Sequence, residues 1–262
     1  MTETTIAVTG GAVGVRRRGG DGPALVLVHY WGGSARTWDA VVERLPADRD
    51  VVRFDQRGWS SSRGLPGPYG LDRLAGDVID IAQGLDRYVL VGHSMGGKVS
   101  QLAAARRPSG LAGVVLVAPA PPRPPATVTA EYQGFLAHAY DSPEAVEQSL
   151  DQVLTATPLD PAVREAVVRD SMAADAAAYR EWPLHGIAAD VTDAAGAIDV
   201  PVLVLAGEHD RVEPPQVLRD HLLPWIPHAR LDVIPGVGHL LPLEAPGAVA
   251  AALEGFAADL AR

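Results

Sequence analysis

Residues 89–99 read VLVGHSMGGKV, and this stretch decides the fold. An apolar run reaches Gly92-His93-Ser94-Met95-Gly96 and passes at once into a segment of helical period. A G-x-S-x-G motif therefore lies at a strand-to-helix junction. Glycines at 92 and 96 let the chain double back where side chains would collide. Ser94 is expected at the carboxyl edge of a sheet, with a helix N-terminus behind it that favours developing negative charge. The same five letters also arise in ordinary glycine-rich turns, and the flanking strand and helix patterns separate the two readings.

Working outward, the same rhythm recurs. Residues 24–29 (ALVLVH), 51–54, 88–93 and 111–117 are short apolar runs of the kind found in strands buried on both faces. Residues 71–84 and 95–107 carry the intervening helical period. Residues 5–8 and 13–17, separated by Gly10-Gly11, read as an opening β-hairpin. Ser34 is a candidate cap for a helix reaching about Leu45, with Trp38, Val41, Val42 and Leu45 on one face. Strands alternating with crossover helices specify an α/β protein with a mostly parallel sheet.

After Val117 the alternation stops at APAPPRPPA, residues 118–126, and residues 128–195 hold no strand-like run. Helices are expected over 129–140, 143–155, 161–173 and 174–182. Ser142 before Pro143 and Asp160 before Pro161 supply start signals. The sheet rhythm then resumes with residues 201–206, a helix at 215–223, a strand at 230–234 and a C-terminal helix over about 246–260. The reading is an α/β core of residues 1–120 and 196–262, carrying a helical cap of residues 121–195.

Composition excludes several function classes. The 47% hydrophobic and 21% charged residues are globular values. The absence of cysteine removes disulfides, a thiol nucleophile and thiolate-bound metal. Lys98 is the single lysine, so Schiff-base chemistry has one position open to it. A net charge of −10 repels phosphate backbones and anionic lipid, so neither nucleic acid nor membrane is an expected partner. No run approaches the ~18 apolar residues of a spanning helix, and the start lacks a secretory pattern. The expectation is a soluble, cytoplasmic protein, either monomer or homo-oligomer.

A serine hydroxyl is a poor nucleophile until a base takes its proton, and a carboxylate should fix the tautomer of that base. Of eight histidines, His239 is the natural base. It follows the strand at 230–234 in GVGHLLPLEAP, where Gly236 and Gly238 permit tight presentation. His29 and His93 end their own strands and are expected to line the pocket. His138, His185, His209, His221 and His228 read as surface or helix residues. The acid candidate is Asp210 in AGEHDRVEPP, with Glu208 and Glu213 as neighbours open to confusion with it. Ser94, Asp210 and His239 all fall on loops after strands, where open α/β sheets place their sites. An oxyanion formed on a carbonyl needs preorganised N–H donors. Met95, directly after the nucleophile, supplies one, and Trp31 in HYWGGS is the expected second.

These segments together resemble the α/β-hydrolase fold, in its capped esterase, lactonase and haloperoxidase-like branch. The resemblance runs over essentially the whole chain through HYWGGS, FDQRGWSSS, VGHSMGG, AGEHD and GVGHLLPLEAP, in the family's order. It implies an eight-stranded, mostly parallel sheet flanked by helices, a helical cap inserted after the sixth strand, no cofactor, no metal, and a serine-dependent covalent mechanism. One position departs from the pattern: Tyr30 stands where the family has glycine after the oxyanion-loop histidine. Its phenol either donates to a substrate oxygen or packs under the cap.

The expected function is a serine hydrolase acting on an ester, lactone or other activated acyl compound. C–C hydrolysis, perhydrolysis and cofactor-free oxygenation use the same scaffold, and a small-molecule receptor that retains the triad is the non-enzymatic alternative. Tyr132, Phe135, Met172, Tyr179, Trp182 and Leu184 form either a pocket lining or the cap's own core, with Trp182 and Leu184 the preferred lining residues. Arg57 is expected to pair with a carboxylate. Between Pro121 and Asp199 stand 13 acids and 4 arginines, a net −9 of the whole −10. An acidic cap around the entrance favours a neutral or cationic small-molecule substrate.

Overall fold

The computed structural model describes residues 2–260. Eight strands build one sheet: β1 (Thr2–Val8), β2 (Gly11–Arg18), β3 (Asp21–Val28), β4 (Arg49–Phe54), β5 (Tyr88–His93), β6 (Leu111–Val117), β7 (Val202–Gly207) and β8 (Arg230–Ile234). Their order is β1-β2-β4-β3-β5-β6-β7-β8. The β1–β2 and β2–β4 pairs are antiparallel and all the others parallel. This is the α/β-hydrolase fold.

The apolar runs account for the strand positions. Every residue of β5 and β7 is buried, as strands covered on both faces require. In β3, Leu25 and Leu27 face one helical layer while Val26 and Val28 face the other, because successive side chains leave a strand on opposite sides. One layer contains α2 (Leu71–Ala82) and α3 (Met95–Ala105). Leu74, Val78 and Ile81 of α2, spaced by four and three residues, form its buried stripe. The single helix expected from Ser34 is instead a 3-10 turn, Ala35–Trp38, running into one turn of α1 (Asp39–Val42). The Ser34 and Thr37 hydroxyls each bond the other's end of the turn, which tightens it and seats Trp38 fully buried against the sheet.

Between β6 and β7 lie α4 (Ala130–Leu136), α5 (Pro143–Ser149), α6 (Pro161–Ser171), α7 (Ala176–Glu181) and α8 (Thr192–Gly196). Side chains of Thr129, Ser142, Asp160 and Asp175 cap the first four. α5 and α7 continue into π-helical turns, Leu150–Leu154 and Trp182–Gly186. In the second, Pro183 lacks an N–H and the chain closes on a wider bond, Ile187 N–H to Trp182 C=O at 2.8 Å. The insertion is tied to the segment after β4: Ser60 N–H donates to Ala173 C=O at 3.0 Å, and Asp175 N–H to Gly58 C=O at 2.7 Å.

The chain ends with α9 (Pro215–His221), α10 (Leu241–Glu244) and α11 (Pro246–Asp259). α11 joins α1 in covering the second face of the sheet. No helix among the described residues is long and apolar enough to cross a membrane.

Candidate active site

The G-x-S-x-G turn lies between β5 and α3. Ser94 has φ 53° and ψ −115°, a strained conformation for a residue with a side chain. Close approach explains the two glycines. A Cβ on Gly92 would lie 2.3 Å from the Gly96 carbonyl oxygen, and one on Gly96 would lie 2.5 Å from that of His29. α3 can begin against the end of β3 only without those carbons. Met95 is the first residue of α3, in the turn whose N–H groups have no intrahelical acceptor.

Ser94 Oγ is 2.9 Å from His239 Nε2, and His239 Nδ1 is 2.9 Å from Asp210 Oδ2. All three are buried, with Ser94 the most accessible at 8%. Asp210 Oδ1 accepts from the Val212 and Glu213 N–H groups at 2.8 and 2.9 Å. Burial works to raise the Asp210 carboxyl, but His239 and the two N–H donors outweigh it and hold it below the ordinary carboxylate value. An ionised Asp210 accepts the Nδ1 proton of His239, which leaves the Nε2 lone pair to accept from the Ser94 hydroxyl.

The loop bearing His239 is held by the insertion. Leu154 C=O accepts from the N–H groups of His239 and Leu240 at 2.9 and 3.2 Å. Glu244 clamps the two segments, accepting from Ala156 N–H at 2.8 Å and from Gly238 N–H at 3.1 Å. Trp31 is fixed the same way. Its ring clusters with those of Tyr140 and Tyr179, with centroids 4.5 and 4.6 Å away. Its Nε1–H donates to Tyr179 C=O, and its own carbonyl accepts from Trp59 Nε1–H.

A cavity of about 400 Å³ opens onto Ser94 and His239, with Tyr30, Trp31, Trp182, Ile187, Val212 and Glu213 among its walls. Tyr132 and Phe135 also line the space. Tyr30 is buried, its ring 5.1 Å from His93 and its hydroxyl beside Tyr140, Asp170 and Ser171. The ring packs under the insertion while the residue also lines the cavity.

Three expected lining residues are elsewhere. His29 is fully buried at the start of the loop that carries Trp31, where its Nε2 accepts from Gln56 N–H at 3.0 Å. His93 lies beneath His239 and bonds its carbonyl at 2.9 Å. Burial and the adjacent His239 push its pKa down to about 3, so His93 is neutral and holds the backbone of His239. Leu184 is 42% exposed, because the π-helical turn rotates it outward while its carbonyl accepts from Gln133. Met172 is likewise exposed, and Tyr179 packs on Trp31. Arg57 pairs with Asp77 through two bonds, 2.7 and 2.9 Å, as its expected carboxylate partner requires.

Glu213 was legible only as a possible competitor of Asp210, and Leu154, Ile187 and Glu244 carried no sequence signal. Glu213 is 6% exposed, and burial and then Asp210 raise its carboxyl well above the ordinary value. Lys98, fully buried nearby, is lowered to about 8 by burial.

Among known proteins, the chain is 28% identical over 240 residues to a bifunctional esterase/perhydrolase of Acinetobacter calcoaceticus, covering 85% of this chain and 87% of that one. A thermophilic esterase from Thermogutta terrifontis superposes with TM-score 0.83 at 26% identity, over 99% of both chains. The enol-lactonase from Burkholderia xenovorans LB400 does so with TM-score 0.83 at 26% identity, over 97% of this chain and 99% of that one. The family model for alpha/beta hydrolases matches residues 25–252, from β3 into α11. With strand order, strand-to-helix turn and sequence match in agreement, the chain belongs to the alpha/beta hydrolase family.

Proposed function

We propose that this protein is a serine hydrolase that cleaves a carboxylic ester, lactone or comparably activated acyl compound through an acyl-enzyme. The observation that carries this reading is the continuous chain of 2.9 Å contacts from Ser94 through His239 to Asp210, with Ser94 on a strained turn at the cavity wall. Ser94 Oγ attacks the carbonyl carbon as His239 Nε2 takes its proton, and Asp210 stabilises the imidazolium that results. The N–H groups of Met95 and Trp31 hold the oxyanion. His239 then protonates the departing alkoxide. Water, deprotonated by the same Nε2, attacks the acyl carbon, and collapse releases the acid and restores the Ser94 hydroxyl.

Residues 121–195 act as a cap in this reading, supported by their place over Ser94 and by the Leu154 and Tyr179 bonds to the His239 and Trp31 loops. The acidic segment favours an uncharged or cationic substrate. Perhydrolysis is a second reading, favoured by the relative named as an esterase/perhydrolase. It needs only hydrogen peroxide in place of water at the same acyl-enzyme.

The test is labelling with a fluorophosphonate, followed by peptide mapping, alongside p-nitrophenyl ester turnover by wild type and Ser94→Ala. Stoichiometric labelling of Ser94 and loss of turnover in the variant are expected. Unchanged turnover in Ser94→Ala, or no label on Ser94, refutes the reading.

A further inference from the structure

Six carboxyl side chains are buried among the described residues: Asp50, Asp55, Asp77, Asp170, Asp210 and Glu213. Five are held by at least two donors each. Asp50 takes Arg17, Asp55 the Ala35 N–H and Ser61, Asp77 Arg57, Asp170 Ser34 and Arg36, and Asp210 two N–H groups and His239. Glu213 is the exception. Its Oε2 is fully buried and has no hydrogen-bond partner in the protein, yet the residue lines the cavity onto which Ser94 opens. A buried carboxyl left without a partner is expensive, so its retention at a cavity wall calls for a ligand at the oxygen that is not enclosed, Oε1.

The surroundings select the ligand's chemistry. Glu213 N–H is bound to Asp210 Oδ1, which anchors the residue next to the triad carboxylate. The one cation behind it, Lys98, donates instead to Ile187 C=O at 3.3 Å and forms no ion pair with it. Burial, with Asp210 beside it and no ion-pair partner, favours the protonated form and raises the carboxyl well above the ordinary value. A protonated carboxyl offers one O–H donor and one carbonyl acceptor. At this wall a cationic ligand group would meet Lys98 and a carboxylate group Asp210, while Arg211, the cation on the cavity's lining, donates to Gln152 C=O at 2.7 Å.

We propose that Glu213 is a specificity-determining residue, hydrogen-bonding a carbonyl in an uncharged substrate at a position other than the scissile acyl group. The proposal rests on the reading of this cavity as the substrate site of a serine hydrolase. It narrows that reading from neutral or cationic substrates to neutral ones with a second carbonyl.

The experiment separates binding from reaction by using Ser94→Ala protein throughout. Methyl esters of straight-chain acids of five to eight carbons, and isosteric oxo esters with the ketone moved along the chain, are titrated calorimetrically. At one ketone position the oxo ester should bind about tenfold more tightly than its methylene isostere, the size of one neutral hydrogen bond. Adding Glu213→Leu should bring that ratio to about one. Adding Glu213→Gln, which keeps a donor and an acceptor and serves as the folding control, should retain it. A ratio near one throughout the series in Ser94→Ala, or a preference that survives Glu213→Leu, overturns the proposal. The affinity ratios do not depend on turnover, so Ser94 labelling decides the hydrolase reading separately.

Discussion

Asp210→Asn tests the orienting role of the acid, and the structure dictates how the amide would sit. Oδ1 of Asp210 accepts two backbone N–H groups at 2.8 and 2.9 Å, while Oδ2 faces His239 Nδ1 at 2.9 Å. In the variant the two donors demand the amide oxygen, so the NH₂ group must face Nδ1. His239 then accepts at Nδ1 and carries its proton on Nε2, pointed at Ser94 Oγ, where it cannot act as a base. Turning the amide over would restore the tautomer but set NH₂ against two N–H donors, at about 1–3 kcal/mol for each bond lost. The imidazolium of the transition state also loses its counter-charge. Together these amount to about 5 kcal/mol, or a fall of about 10⁴ in kcat, the scale known for this substitution in triad enzymes. The assay is p-nitrophenyl butyrate hydrolysis, with Tm read in parallel. The amide keeps the shape and both N–H bonds, so Tm should move by only a few degrees. An Asn variant within tenfold of wild type, properly folded, would refute the assignment and turn attention to Glu208 or Glu213.

Three further outcomes are expected. Gly96→Ala forces a Cβ to within 2.5 Å of the His29 carbonyl oxygen and should lose about 1–3 kcal/mol in urea unfolding together with most of the esterase activity. Gly134→Ala, in α4 with open space around it, should gain up to about 1 kcal/mol, and equal effects at the two sites would contradict this account. Asp77→Ala strands the buried Arg57 guanidinium and should cost about 3–5 kcal/mol, a loss that Arg57→Met with Asp77→Leu largely restores. Glu213→Gln should alter the pH dependence of stability. Burial and Asp210 raise the folded carboxyl above its unfolded value, so the folded state holds the extra proton and wild-type stability declines as pH climbs above about 4.5. Lys98 opposes this and Tyr132 adds to the apolar wall, but neither reverses the sign. The Tm advantage of the Gln variant should therefore widen from pH 5 to pH 8; a constant or shrinking difference would exclude a protonated Glu213.

Much of the fold was legible because its signals are local. Continuous apolar runs marked strands buried on both faces, Pro and Asp or Ser pairs marked helix starts at 142–143 and 160–161, and Gly92 and Gly96 marked the turn that presents Ser94. The departures were local signals overruled by packing. The helix expected from Ser34 to about Leu45 starts as a 3-10 turn that seats Trp38 against the sheet and gives only one α turn after it. Leu184 turned outward because Pro183 widens its turn.

By itself, then, the sequence determined the α/β class, the strand order's raw material and the identity of Ser94, Asp210 and His239 as candidates, since each depends on residue types within a few positions of one another. Tertiary structure alone decided what surrounds them. The Leu154 carbonyl steadies the His239 loop from 85 residues away, Tyr140 and Tyr179 pack on Trp31, His29 and His93 fall behind the site, and Glu213 lines the cavity with its Oε2 unpartnered. The physical reason is that a side chain's direction and hydrogen-bond partner follow from how distant segments pack. No local periodicity records that packing.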